Sequence, residues 1–201
     1  MKRIPNLFVS IEKFHNDNLY LPTRTIYFGR ADINTETDES NEVNCITAGQ
    51  VIKNLHILNF LDNKSPITLL LNSPGGSWED GMAIYDVIKT IKAPVIIVGM
   101  GKIYSMASVI IQSAKKRYLM PNSLFMIHDG SEVIVGDSKS VEAWAKNAKE
   151  VRETMYKIYY NRMKKKKKRI TLKQIEEMCS HDTILTAEEA VKIGLADKIM
   201  R

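Results

Sequence analysis

The chain has 201 residues, of which 44% are hydrophobic and 26% charged, a composition typical of one globular domain, here residues 1–201. Its longest apolar runs, such as residues 95–100, are too short to cross a membrane, and the N-terminus lacks the apolar core of a signal peptide, so we expect a cytoplasmic protein. The net charge of +6 comes largely from residues 164–169, and since no aromatic residues interleave these cations it does not indicate specific nucleic-acid binding.

The first part of the chain predicts a strand, a loop and a helix. Residues 1–21 are set apart as an N-terminal segment, and residues 24–29 predict a strand. Residues 32–44 are acidic and rich in turn residues, which is typical of a loop. Residues 45–63 predict a helix with one apolar face, because apolar side chains recur at helical spacing: Val51, Leu55, Leu58 and Leu61. The two cysteines, Cys45 and Cys179, are far apart and are interpreted as free thiols.

Strands and helices then alternate. The strands are predicted over residues 67–72, 94–100, 117–120 and 124–128, and the helices over residues 77–92 and 105–116. Ser77 and Asp80 resemble a capping box at the start of the first of these helices. Units this short imply right-handed crossovers over a largely parallel sheet, which is an α/β fold.

The C-terminal third predicts one long helix and two short ones. Apolar residues recur every three or four positions from residue 141 to residue 158, so we expect an amphipathic helix over about residues 137–169. A helix of this length cannot lie flat on a small domain, and we expect part of it to pack against another subunit. Two capped helices follow, beginning at Thr171 and Thr186, and the second ends at Gly194. The last residues, 195–200, predict a strand.

Two junctions between a strand and a helix carry candidate functional residues. The sequence NSPGGS at residues 72–77 contains paired glycines, whose backbone N–H groups could hold an anion. Ser105 follows the next strand, at the positive end of a helix. Taken alone, Ser105 and Ser108 are better interpreted as polar residues at a helix start than as nucleophiles, because serine is a favoured N-cap and the pattern G-x-S-x-G is absent.

A nucleophilic serine needs a base, and the base needs a carboxylate that orients it. His128 is the strongest candidate base, because it ends a strand of the same kind as the strand that precedes Ser105. The other histidines are interpreted as structural or surface residues: His15, His56 and His181. Three carboxylates could orient His128, and spacing does not choose among them: Asp129, Asp137 and Asp182.

Five stretches of the chain resemble the proteolytic subunit of the Clp protease, ClpP, in that family's order: residues 71–77, 81–92, 99–108, 116–130 and 185–199. The resemblance covers roughly residues 22–200 and is weak in the first twenty. By position, Ser105 matches the family's nucleophile, His128 its general base and Asp182 its orienting aspartate. Gly76 and Met106 match the residues whose backbone N–H groups form the oxyanion hole.

The resemblance implies an α/β fold of the ClpP/crotonase type, built from repeated ββα units, with a long protruding "handle" helix at residues 137–169. It implies a serine endopeptidase that cleaves unfolded polypeptides through an acyl-enzyme and needs no metal or cofactor. It also implies two stacked heptameric rings, a tetradecamer joined by the long helices. An AAA+ unfoldase of the ClpX, ClpA or ClpC type would supply the substrate, with no membrane involved.

The sequence departs from the family at several positions. Tyr104 stands where a small residue usually precedes the serine, and Asp129-Gly130 replaces a polar residue and a proline. The acidic loop is an apparent insertion, and the N-terminus does not match the family's axial gate. The alternatives on related folds are a catalytically silent ring subunit, a phage capsid-maturation protease, a signal peptide peptidase with a serine–lysine dyad and a crotonase-type acyl-CoA enzyme.

Overall fold

A largely parallel sheet forms the centre of the molecule. The structure, a computed structural model, describes residues 7–29, 41–131 and 133–200. Residues 32–40 of the predicted acidic loop (32–44) and the first six residues of the N-terminal segment lie outside the described residues.

Within the described ranges the sheet has eight strands: β1 (Leu19–Tyr20), β2 (Thr25–Tyr27), β3 (Ile67–Ser73), β4 (Val95–Tyr104), β5 (Lys116–Leu119), β6 (Leu124–Ile127), β7 (Thr183–Thr186) and β8 (Lys198–Ile199). The main path of the sheet runs β1-β2-β3-β4-β5-β8. Pairing is parallel except between β1 and β2 and between β6 and β7. The predicted α/β fold with a largely parallel sheet is confirmed.

The helices of the described residues are α1 (Leu7–Asp17), α2 (Cys45–Leu61), α3 (Trp78–Thr90), α4 (Met106–Ile110), α5 (Ser138–Met163), α6 (Leu172–Cys179) and α7 (Ala187–Ile193). Capping boxes begin α6 at Thr171 and α7 at Thr186, and Gly194 ends α7 in the left-handed conformation, as the sequence predicts. At Ser77 only half of the predicted box forms. Its side chain accepts from Asp80 N, while its own N–H donates to Val43 O.

The core lies where α2, α3 and α4 cover the sheet. Leu69 on β3, Ile97 on β4, Leu55 on α2 and Ile84 on α3 are fully buried. Burial of apolar area of this kind is the main stabilising contribution to a fold. Leu61, at the end of the predicted apolar face of α2, is exposed instead.

Strand β4 extends past the predicted end at residue 100. It changes partners along its length, because its first half pairs with β5 and its last three residues pair with β6. The following helix is predicted over residues 105–116, and this predicted length is wrong. It ends at Ile110 and is continued by a 3₁₀ turn (Ile111–Ser113), in which Ser113 Oγ donates to Ile110 O at 2.7 Å and competes with helical pairing.

The long helix α5 ends at Met163, six residues before the predicted end at about residue 169. The backbone N–H groups of Lys166 and Lys167 both donate to Met163 O, which closes a turn. Five consecutive lysines would repel one another on a continued helix, and Lys166 Nζ instead donates to Val191 O on α7. Among the described residues, no helix is long and apolar enough to span a membrane.

Candidate active site

Strand pairing brings three separate parts of the chain to one point. Tyr104, the last residue of β4, pairs with Met126 on β6, and Ile127, the last residue of β6, pairs with Thr183, the first residue of β7. The next residues outward along these three strands are Ser105, His128 and Asp182. Their side chains therefore meet at one edge of the sheet.

The three side chains form a chain of hydrogen bonds. His128 Nε2 lies 2.9 Å from Ser105 Oγ, and His128 Nδ1 lies 2.9 Å from Asp182 Oδ1. A carboxylate can only accept, so Nδ1 carries the proton and Nε2 presents its lone pair to the serine hydroxyl. The Asp182 side chain is 66% exposed and that of His128 is 24% exposed. The carboxylate therefore fixes the orientation of the imidazole rather than forming a strong buried ion pair.

The other two carboxylates considered for His128 have different partners. Asp129 Oδ1 accepts a hydrogen bond of 2.6 Å from Tyr156 Oη. Asp137 caps α5 and accepts from the N–H of Lys139 and the hydroxyl and N–H of Ser140, and these bonds lower the pKa of Asp137.

The remaining histidines lie away from Ser105. His15 is exposed on α1, and His56 is exposed on α2. His181 lies 3.3 Å from the hydroxyls of both Ser180 and Thr183. The structure thus brings only His128 to the serine among the four histidines, all of which lie in the described residues.

Ser105 has a strained backbone. Its φ is +50°, a value that costs a residue with a side chain roughly 1–3 kcal/mol. Its side chain does not cap α4, so the interpretation of Ser105 as an ordinary N-cap is wrong. Its backbone is held at both ends, because its N–H donates to Met126 O at 3.0 Å and its carbonyl accepts from Ser108 N at 2.9 Å.

Ser108 has a structural environment. It is fully buried, and its hydroxyl lies 2.6 Å from Ser105 O and 2.7 Å from Tyr159 Oη. The two serines that the sequence alone did not separate therefore differ. Ser105 lines an open cleft, and Ser108 lies behind it in the core.

Gly75 and Gly76, called the glycine loop below, precede α3, and Gly75 lies against Ser105. Gly75 and Gly76 have φ values of +106° and +141°. A Cβ atom on Gly75 would lie 2.6 Å from Ser105 Cβ, and one on Gly76 would lie 2.3 Å from Val43 O. Only glycine fits at these two positions, since a side chain would displace Ser105 or the segment at Val43.

A cleft of about 640 Å³ opens in front of Ser105 and His128. Gly76 and Met106 border it beside the serine. Its apolar wall includes Trp78, Val109, Trp144, Val151 and Met155, and Glu79 and Arg152 also line it. Such a cleft suits an extended chain with apolar side chains.

Within residues 7–29, 41–131 and 133–200, the side chains of His, Cys, Asp and Glu form no group of three or more that could hold a metal ion.

Serine hydrolases contain a serine that is hydrogen-bonded to a histidine, which is in turn hydrogen-bonded to a carboxylate. The side chains of Ser105, His128 and Asp182 have this arrangement. Here it lies at the carboxyl ends of parallel strands, where α/β proteins carry their sites. The fold and the site together define this class.

Comparison with known proteins identifies the family within the class. The family model described as Clp protease matches residues 33–201. The chain therefore belongs to the Clp protease family, and the predictions of a ClpP-like fold and of a serine-type peptidase are confirmed.

Three curated relatives illustrate the similarity. The ATP-dependent Clp protease proteolytic subunit 2 of Treponema denticola is 32% identical over 164 residues, 81% of this chain and 80% of the relative. Subunit 1 of Protochlamydia amoebophila is 34% identical over 165 residues, 80% of this chain and 78% of the relative. The proteolytic subunit of Deinococcus radiodurans is 33% identical over 155 residues, 76% of this chain and 74% of the relative.

Sequence reasoning missed two features of the site. Strand β7, which follows Asp182, was not predicted. The apolar spacing that predicts α5 does not include Tyr156 or Tyr159. The only local signal for the tyrosines is their hydroxyl groups, because a buried phenol needs a hydrogen-bond partner.

Proposed function

We propose that this chain is the proteolytic subunit of a Clp-type compartmentalised protease, a serine endopeptidase that cleaves unfolded polypeptides. Ser105 is the nucleophile, His128 the general base and Asp182 the residue that orients the base. The observation that carries this proposal is the pair of 2.9 Å hydrogen bonds that joins the three side chains.

In the acylation step, Ser105 Oγ attacks the carbonyl carbon of a peptide bond and His128 Nε2 takes the hydroxyl proton. A tetrahedral intermediate forms with its negative charge on the former carbonyl oxygen. When it collapses, the carbon–nitrogen bond breaks and His128 gives its proton to the leaving amine. An ester between Ser105 and the N-terminal part of the substrate remains.

In the deacylation step, water replaces the amine. His128 Nε2 takes a proton from the water as its oxygen attacks the ester carbonyl. Collapse of the second intermediate returns the proton to Ser105 Oγ and releases a carboxylic acid. Asp182 accepts from His128 Nδ1–H throughout and stabilises the imidazolium of each intermediate.

The backbone N–H groups of Gly76 and Met106 are the proposed oxyanion donors. Both residues border the cleft beside Ser105. Met106 is also the first residue of α4, and its N–H has no earlier helical carbonyl to bond. Donors fixed in advance stabilise the developing charge by a few kcal/mol each, because they need no reorganisation during the reaction.

Exposed apolar residues support the proposed self-association. Val133 and Val135 are 92% and 90% exposed, and Trp144 on α5 is 58% exposed. Adjacent exposed apolar side chains of this size are typical of interaction surfaces. We propose that α5 joins two heptameric rings into a tetradecamer, and that an AAA+ unfoldase supplies unfolded chains in the cytoplasm.

Hydrolysis of a fluorogenic peptide and of unfolded casein tests the proposal. We expect Ser105→Ala and His128→Ala to abolish turnover of both substrates. We expect Asp182→Asn to lower kcat by about tenfold or more. This loss should be smaller than the roughly 10⁴-fold loss typical of a buried triad aspartate, because Asp182 is exposed. Sedimentation velocity on each variant separates loss of chemistry from loss of assembly.

The matched controls are Ser138→Ala and His56→Ala, which change an exposed serine and an exposed histidine outside the cleft. Both are expected to retain the turnover of the wild type. Turnover that survives Ser105→Ala, or an assembled wild type that hydrolyses neither substrate, would overturn the proposed function.

A further inference from the structure

A buried tyrosine on α5 is connected to the nucleophile by two successive hydrogen bonds. Tyr159 Oη lies 2.7 Å from Ser108 Oγ, and Ser108 Oγ lies 2.6 Å from the carbonyl oxygen of Ser105. Tyr159 and Ser108 are both fully buried. The mechanism above uses neither hydroxyl.

The direction of the two bonds follows from counting protons. A serine hydroxyl has one proton, and Ser108 donates it to Ser105 O, since a carbonyl oxygen can only accept. Tyr159 must therefore donate to Ser108. Burial raises the pKa of Tyr159 well above its usual value, so the phenol keeps the proton that it donates.

Ser105 O belongs to the same peptide group as the N–H of Met106. The atoms of a peptide group are coplanar, and the C=O and N–H of a trans peptide point in opposite directions. Bonds that fix the direction of Ser105 O therefore also fix the direction of Met106 N–H. Ser105 O also accepts from Ser108 N–H at 2.9 Å, so the two hydroxyls add a second bond to the one that the backbone makes. Ser105 is strained, with φ at +50° and ψ at −122°, so loss of the second bond would let this peptide group tilt toward a relaxed conformation.

We propose that Ser108 and Tyr159 are positioning residues for the oxyanion hole, which hold the Ser105–Met106 peptide group so that Met106 N–H points at the developing oxyanion. This inference rests on the proposed function of Ser105 and Met106. If so, Tyr159 gives α5, which contains no triad residue, a role in orienting the Met106 N–H group.

A structural role for the two hydroxyls makes a different prediction. Buried hydroxyls require hydrogen-bond partners in any fold. If the pair were purely structural, its loss would lower the free energy of unfolding without a specific effect on kcat. A positioning pair affects the transition state, where the negative charge exists, more than it affects substrate binding. The split between kcat and KM, together with the affinity for a tetrahedral adduct, separates the two roles.

The test compares Tyr159→Phe and Ser108→Ala with the wild type. Tyr160→Phe is the matched control, because it removes the same hydroxyl from the next residue of α5, whose ring lies under Lys164 Nζ and keeps that contact as phenylalanine. For each protein we would measure kcat and KM on a peptide substrate and the Kd of a peptide aldehyde, which forms a tetrahedral adduct with Ser105. Thermal unfolding and sedimentation velocity report folding and assembly.

We expect kcat to fall by about tenfold in Tyr159→Phe and further in Ser108→Ala, less than the loss of a whole oxyanion donor. KM should stay within about twofold of the wild type, the aldehyde should bind more weakly by the same factor as kcat falls, and Tyr160→Phe should match the wild type.

A Tyr159→Phe variant with the kcat and aldehyde affinity of Tyr160→Phe would overturn the inference. So would failure of either variant to fold or assemble, since the hydroxyls would then act on the fold. An assembled wild type without Ser105-dependent activity would instead overturn the proposed function itself, and the inference with it.

Discussion

Tyr156 on α5 donates a hydrogen bond of 2.6 Å to the carboxylate of Asp129, the residue that follows His128. Asp129 N–H donates in turn to Cys179 O, at the end of α6, at 2.7 Å. Asp129, directly after the candidate base, is therefore hydrogen-bonded to both α5 and α6.

This relationship predicts a loss of stability in Tyr156→Phe. Tyr156 is 9% exposed, and a hydrogen bond to a charged group contributes roughly 1.5–3 kcal/mol to the free energy of unfolding. We expect a loss of this size in urea unfolding monitored by circular dichroism. Tyr160→Phe is the control, and an equal effect of both substitutions would contradict a specific role for the bond to Asp129.

The glycine loop predicts that Gly75→Ala inactivates the protein. The added Cβ would lie 2.6 Å from Ser105 Cβ and 3.1 Å from Met106 N, and the φ of +106° is strained for alanine. We expect peptide hydrolysis to fall by more than about a hundredfold, comparable to the loss of an oxyanion donor.

Gly49→Ala provides the contrast for that substitution. Gly49 lies within α2, and a Cβ there would have nothing within 4 Å. We expect this variant to keep full activity and to gain about 0.5–1 kcal/mol in unfolding free energy, because alanine is the better helix former. Equal activities of the two alanine variants would show that the loop does not constrain Ser105.

The two cysteines are expected to differ in reactivity. Cys179 is buried, and burial together with the charge of Asp129 raises the pKa of its thiol to about 12. Cys45 is exposed. Because the thiolate is the reactive form, Ellman's reagent at pH 8 should titrate one thiol per folded chain and two in urea. Rapid reaction of both thiols in the folded protein would contradict the packing of α6.

The pair of Arg117 and Asp197 predicts a pH dependence of stability. Burial would raise the pKa of Asp197, but the hydrogen bonds and charge of Arg117 outweigh it and hold the pKa below its usual value. A depressed pKa in the folded state adds stability that is present above the unfolded pKa and is lost as pH falls through the folded one.

Urea unfolding of the wild type and of Asp197→Asn at several pH values checks this expectation. The wild type should be the more stable above about pH 5, and the difference should shrink as the pH falls below 4. A difference that stays constant from pH 6 to pH 3 would show that the charge of Asp197 does not contribute.

Much of the fold could be predicted because its signals are local. The apolar run of β3 and the side chains that cap α6 and α7 specify their elements within a few residues. The end of α5 could not be placed, because it depends on Lys166 contacting α7, a contact that helical periodicity does not contain.

The site shows the same division. Ser105 and His128 stand out because each follows a predicted strand. The choice among Asp129, Asp137 and Asp182 depends on the antiparallel register of β6 and β7, and β7 has only four residues, too few to predict a strand. The bond from Tyr159 to Ser108 spans 51 positions, and no local pattern indicates it.

The most direct test that His128 activates Ser105 is peptide mapping by mass spectrometry after reaction with a fluorophosphonate probe, which phosphonylates an activated serine hydroxyl. We expect one adduct, on Ser105, that is absent from Ser105→Ala and from His128→Ala but retained in Ser138→Ala. An adduct on another serine, or labelling of Ser105 that does not require His128, would contradict it.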